Sequence, residues 1–175
     1  EELCKENNEV LVRGAVDGTI GRVWVPQLGN SSYCLIVVGD FAYLMGLPPK
    51  GEWALDLKTK IYQSAPKAYI YPQNGRWEDW LEEEFMGQTR LVSRYALRKD
   101  EHHFDSGLLK QYIESVPKGI RIKRIDGRLY HQALKEEWSR DLCANFEDEK
   151  HFQEKGFGYV ALKGRELVAG CSAYG

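Results

Sequence analysis

No apolar run in the 175 residues is long enough to span a bilayer, and no secretory signal pattern is present. No membrane association is expected, and a cytoplasmic location is expected. An excess of either charge is also missing. Twenty-four Lys and Arg stand against 26 Asp and Glu, and a net charge of −2 calls for no nucleic acid or other polyanion as partner. Cysteine is sparse: Cys4, Cys34, Cys143 and Cys171 lie far apart, with no C-x-x-C pair and no His at metal-ligand spacing. No metal site is expected, and the four read as reduced, mostly buried thiols. The sequence starts at Glu1 without an initiator Met, and both ends are expected to be cut.

Aromatic residues are plentiful, with 5 Trp and 10 Tyr, enough for the sizeable core of one large domain or two small ones. Residues 1–18 read as a short helix ending at Gly18. Gly21–Val25, Tyr33–Val38 and Phe41–Gly46 read as a three-stranded antiparallel meander, in which the unbroken Y-C-L-I-V-V fits a strand buried on both faces. Ala54–Tyr62 reads as a helix and Ala68–Tyr71 as a strand ended by Pro72. Trp77, Trp80, Leu81 and Phe85 fall at helical spacing, with Glu82, Glu83 and Glu84 on the solvated side. Leu91–Leu97 reads as a further strand, and its Arg94, set between apolar neighbours, is the one charge there that stands out. Arg98–Phe104 is a charged connector whose His102 and His103 read as an exposed polar pair. A boundary near it divides the chain into units 1–104 and 105–175.

Asp105 caps a helix that carries Leu108, Leu109, Tyr112, Ile113 and Val116 on one stripe. Ile120–Ile125 reads as a strand. Asp126 caps a long helix in which Tyr130, Leu134, Trp138 and Leu142 recur every fourth residue, with Glu136 and Arg140 as an outer pair. Asn145–Glu149 breaks it, and Lys150–Lys155 is a short second helix. Gly156–Gly175 reads as a hairpin turning at Lys163-Gly164-Arg165-Glu166, with Val160 and Leu162 on one side and Phe157, Tyr159 and Ala161 on the other. The fold class is α/β of the α+β type, with mixed, largely antiparallel sheets flanked by helices.

From Ile120 the order strand, long helix, short helix, strand, strand resembles the opening of the GNAT-type N-acetyltransferase fold. The runs I-D-G-R-L-Y-H-Q-A-L-K-E-E-W-S-R-D-L-C-A-N-F and H-F-Q-E-K-G-F-G-Y-V-A-L-K-G-R-E-L-V-A-G-C-S-A-Y resemble one branch of that family, which includes zwittermicin-resistance-like proteins. G-R-V-W-V, G-D-F-A-Y-L-M-G and S-R-Y-A-L resemble the amino-terminal region that precedes the acetyltransferase domain there. The resemblance implies an enzyme that moves acetyl from acetyl-CoA, as co-substrate, to a primary amine of a small molecule. It also implies a companion domain at 1–104, whose element order fits a GNAT-like unit, and the start of the acetyltransferase domain at 105–175.

The pyrophosphate loop of that family, of the type R-x-x-G-x-G/A at a helix amino terminus, has no match here. Arg76, Arg90 and Arg98 have no glycine pattern behind them. Gly18-x-x-Gly21 leads into a strand, Gly156-x-Gly158 lies inside the hairpin, and two prolines remove donors from the loop between Gly46 and Gly51. No cofactor-binding residue is assigned, and the cofactor half is expected beyond the last residue.

The resemblance places the acceptor between the first two helices and the sheet, at Glu137, Trp138, Asp141, Phe146, Ser172 and Tyr174. Glu137 and Asp141 are like charges four apart, which either hold a cationic amine or stand as solvated acids. Ser172 and Tyr174 share a face and either orient substrate or are ordinary sheet residues. Cys171, on the opposite face, is expected to be a small buried side chain. No general base or acid is assigned. Two further outcomes stay open: a non-catalytic binding or interaction module on the same scaffold, and a homodimer in which a second copy completes the sheet at its last strand.

Overall fold

The structure, a computed structural model, describes residues 2–5, 7–95 and 105–173. Its first sheet is a meander of β1 (Arg22–Trp24), β2 (Tyr33–Val38) and β3 (Phe41–Gly46), extended by β4 (Tyr69–Pro72) in the order β1-β2-β3-β4. The first three strands are antiparallel, β2 and β3 across the tight Gly39-Asp40 turn, and β4 runs parallel to β3 after a crossover through helix α2 (Glu52–Ser64). That parallel pairing was not among the sequence expectations. Helix α3 (Gly75–Phe85) follows, and Asn74 caps it by accepting the Arg76 N–H.

Every residue of β2 is buried, because both faces of the sheet are covered. Tyr33, Leu35, Val37, Ala42 and Leu44 pack against Leu57 and Ile61 of α2 and Trp77, Trp80 and Phe85 of α3. Cys34, Ile36, Val38, Tyr43 and Met45 face the other way. They share one cluster with Val12 and Ala15 of α1 (Val10–Val16) and with Ile125, Leu129, Phe146, Phe152, Val160 and Leu162 from the second half of the chain. Burying each such aliphatic or aromatic side chain contributes about 1.5–3 kcal/mol, so this shared layer is a main source of stability. A backbone bond from the Gly21 N–H to the Asn145 carbonyl, 3.2 Å, joins the same two parts.

The second sheet has the order β5-β6-β7, with β5 (Ile120–Arg124), β6 (Gly158–Lys163) and β7 (Glu166–Ser172) antiparallel throughout. Gly164, at φ +64°, makes the tight hairpin turn. Val160 and Leu162 are buried and Tyr159 is exposed, as the alternation predicted. Asp126 caps α5 (Gly127–Ala133) and Asp148 caps α7 (Glu149–Lys155). The architecture is the expected mixed α/β fold, with largely antiparallel sheets flanked by helices. Among the described residues no helix is long and apolar enough to cross a membrane.

Several expectations need correction. The amino-terminal helix is split into a 3-10 turn at Glu2–Cys4 and α1. The long helix after Asp126 is broken after Ala133 and resumes as α6 (Glu137–Arg140), because buried Ser139 donates to the Ala133 carbonyl at 2.7 Å and satisfies it there. Glu136 is the residue before α6, and its carbonyl rather than its carboxylate meets Arg140. Residues 91–95 form no strand and are exposed; Ala96 and Leu97 lie outside the described residues. The segment pairs with no strand among the described residues, and the Arg94 guanidinium lies over the Phe41 and Tyr69 rings. Asp105 caps α4 (Ser106–Glu114) as expected, yet no residue of α4 is buried. The connector with His102 and His103 lies outside the described residues.

Candidate functional site

Helix α5 has an apolar side, Leu129, Tyr130 and Ala133, that sinks into the core. The 3.6-residue repeat puts Arg128, His131 and Gln132 on the side away from it, and Lys135 follows in the turn after α5. Together with Glu136, Trp138 of α6, and Glu166 and Leu167 at the start of β7, these residues line an open cavity of about 660 Å³. That volume lies within the range of small-molecule sites.

Hydrogen bonds fix the wall. Gln132 Nε2 donates to the Arg165 carbonyl at 2.8 Å, fastening α5 to the β6–β7 turn, and Arg128 Nη1 donates to Gln132 Oε1 at 3.2 Å. His131 Nε2 meets Glu149 Oε2 at 2.8 Å, and its ring stands edge-on to Tyr130 at 5.4 Å. Arg128 and Lys135 bring positive charge, Glu136 and Glu166 negative charge, and Trp138, 51% exposed, an indole face. Such a lining suits a polar ligand that carries an amine alongside other polar groups.

The expected acceptor residues are distributed unevenly around this cavity. Trp138 lines it. Glu137 opens α6 beside Trp138 and Asp141 closes it, both exposed to solvent and neither lining the cavity. Phe146 is buried, edge-on to Phe152 at 5.0 Å. Ser172, partly buried, pairs with Gly158 at the far end of β7 from Leu167, roughly 17 Å away at the ordinary strand rise. Tyr174 lies outside the described residues. Sequence reasoning missed Arg128, His131, Gln132, Lys135, Glu136, Glu166 and Leu167. The only signal was the i, i+3, i+4, i+7 spacing of the first four, which reads as an ordinary solvated face.

The thiols take no part in this site. Burial pushes the Cys34 thiol up to about 12, helped by Cys4, whose sulfur is 3.9 Å away, and pushes Cys143 up to about 11. Burial also raises the Tyr130 hydroxyl, with the nearby Cys143, Asp148 and Glu149 adding to the effect. Cys171, expected to be buried, is exposed, since its strand β7 is the outer one of the sheet and its partner Tyr159 is itself exposed. Among the described residues no group of His, Cys, Asp or Glu could hold a metal ion.

A family model described as GNAT acetyltransferase matches residues 1–175, and the chain belongs to that family. No curated protein gives a sequence match. Among solved structures the chain is similar to the GCN5-related N-acetyltransferase-like protein from Streptococcus suis, with a TM-score of 0.78 and 33% identity over 99% of this chain and 68% of that one.

Membership of this family implies acetyl-CoA, whose pyrophosphate needs a helix start with free N–H groups. Asp105, Asp126 and Asp148 place carboxylates on the free N–H groups of α4, α5 and α7, and the Asn74 amide does so for α3. A phosphate would need those same donors and would meet like charge at three of the four. The start of α2 follows Pro48 and Pro49, and its Gly51 carbonyl already holds the Ala54 and Leu55 N–H groups. These residues do not fit the pyrophosphate.

Proposed function

We propose that the protein is an acetyltransferase that moves acetyl from acetyl-CoA to a primary amine of a small molecule, with the acceptor bound at α6 and the cavity beside it. The observation that carries this reading is the match of the whole chain to the GNAT acetyltransferase family. Acetyl-CoA would supply the acetyl group as a thioester; the described residues serve the acceptor. Glu137 and Asp141, four apart and both exposed, attract an ammonium group, and the half-exposed indole of Trp138 between them in sequence offers it a cation–π face. Phe146 is buried in the core a few residues beyond them, and the family resemblance suggests that Ser172 and Tyr174 orient the acceptor.

A second reading rests on a separate observation. Because the starts of α3, α4, α5 and α7 are already capped by their own side chains, the chain also suits a binding module that keeps the scaffold without transferring acetyl. One experiment separates the two. The 175-residue protein is titrated with acetyl-CoA by calorimetry and assayed for thiol release with a panel of polyamines, amino sugars and amino acids. The enzyme reading requires release with at least one amine, with the acceptor KM raised about tenfold in Glu137→Gln/Asp141→Asn and the melting temperature unchanged; tenfold corresponds to about 1.4 kcal/mol of lost binding. Neither heat nor release with any amine would overturn the enzyme reading and favour the binding module.

A further inference from the structure

Because β3 and β4 are parallel, Phe41 lies opposite Tyr69 and Tyr43 opposite Tyr71, and residues two apart share a face. The four rings form a shelf. Tyr43 and Tyr71 stack with centroids 5.0 Å apart at 20°, and Phe41 and Tyr69 stack at 6.0 Å and 29°. The shelf begins in the core at buried Tyr43 and runs out to the sheet edge, where Tyr69 is 46% exposed.

A cation already sits on it. The guanidinium carbon of Arg94 is 5.3 Å from the Phe41 ring centre and 5.0 Å from that of Tyr69, and Arg94 Nη1 donates to the Tyr71 hydroxyl at 3.2 Å. Among the described residues Arg94 makes no ion pair, so it is recognised by ring faces and one hydroxyl acceptor. This is the chemistry that selects a weakly hydrated planar cation. The backbone does not explain the placement. Residues 89–95 have no regular structure, and among the described residues no backbone hydrogen bond holds them. Leu91 and Tyr95, on either side, are almost fully exposed, yet Arg94 returns to the rings.

We propose that Phe41, Tyr69 and Tyr71 form a binding site for a small guanidinium-bearing molecule, which Arg94 occupies from within the chain. A tethered occupant acts at an effective concentration in the millimolar range, so it keeps weak external cations out and gives way to a tighter ligand. The site is independent of the acetyl-transfer reading and is built from other residues.

The test titrates N-acetyl-arginine amide into the 175-residue protein and its Arg94→Ala variant, followed by calorimetry and tyrosine fluorescence, with the neutral isostere N-acetyl-citrulline amide in parallel. The arginine compound is expected to bind Arg94→Ala at least tenfold more tightly than the unmodified protein. The citrulline compound should bind neither, and Tyr69→Leu added to Arg94→Ala should abolish the gain while circular dichroism stays unchanged. Should Arg94→Ala prove poorly soluble, Arg94→Gln keeps the length without the charge and gives the same comparison. Equal affinity with and without Arg94, or equal binding of the neutral isostere, would overturn the proposal.

Discussion

The carboxylate of Glu149 fills the space over Gly127: a β-carbon at 127 would come within 2.0 Å of its Oε1. The other oxygen of that carboxylate holds His131 at 2.8 Å, so one side chain at the start of α7 touches both the first turn of α5 and the histidine that lines the cavity.

Gly127→Ala and Gly156→Ala should differ although both place a β-carbon too close to a neighbour. At 127 the obstacle is the end of a flexible chain; Glu149 swings aside, an exposed pair worth under about 1 kcal/mol is lost, and alanine in the helix returns a similar amount. At 156 the β-carbon would lie 2.5 Å from Cζ of Phe146, a ring locked edge-on against Phe152. Overpacking of that kind costs about 1–3 kcal/mol. Urea unfolding of both variants decides, and a greater loss for Gly127→Ala would refute the account.

Ser139→Ala removes the donor that satisfies the Ala133 carbonyl at the break between α5 and α6. Ser139 is 0% exposed, so no water replaces it, and a loss of about 1–3 kcal/mol is expected. Calorimetry should show the melting temperature lowered by about 2–4 °C for each kcal/mol; an unchanged value would mean that the bond is dispensable.

These two sites also mark the limit of what the sequence discloses. β2 and β3 were bounded correctly because a continuous apolar run and an intervening Gly-Asp turn are local signals. The break after Ala133 was not legible, since the every-fourth ladder of Tyr130, Leu134, Trp138 and Leu142 continues straight across it and only a buried hydroxyl reveals it. The partner of β4 was hidden for a similar reason: strand pairing across α2 is not written in either strand. The cavity lining escaped because a polar helical stripe looks the same whether it faces solvent or a concavity. Acids beside an indole at Glu137–Asp141 were visible, but their relation to the cavity depends on where the helix breaks.

Thiol reactivity should divide sharply. At pH 8 a thiol near 12, as Cys34 is, holds only about one part in ten thousand as thiolate, and Cys143, near 11, about one in a thousand. Exposed Cys171 should give a single fast phase with a disulfide reagent, and Cys171→Ser should abolish it. More than one fast equivalent in the folded protein would contradict the burial of the other three.

Alkaline pH should destabilise the fold. In the folded state burial, above all, holds Cys34 and Cys143 above their ordinary 9.0, so the stability they contribute is complete below pH 9 and lost as pH rises toward 11 and 12. The unfolded chain gives up these protons first, and each thiol lowers stability by up to about 1.4 kcal/mol per pH unit in that window. The hydroxyls of Tyr33 and Tyr130, also raised by burial, act with the same sign from pH 10 upward. Denaturant midpoints measured from pH 8 to 11 should fall, and less steeply for Cys143→Ala; a parallel fall would refute the assignment.

The pairing of Ile120 with Lys163 closes a loop containing all of α5, α6 and α7, while β6 and β7 join across a two-residue turn. The hairpin has only a short search and zips on the microsecond scale; β5 must wait for a long loop to close. The order of assembly follows. A chain emerging from the ribosome has its second sheet only when the hairpin returns to a strand made long before. The α5 side of the cavity and its β7 side, at Glu166 and Leu167, then meet only after the hairpin has formed.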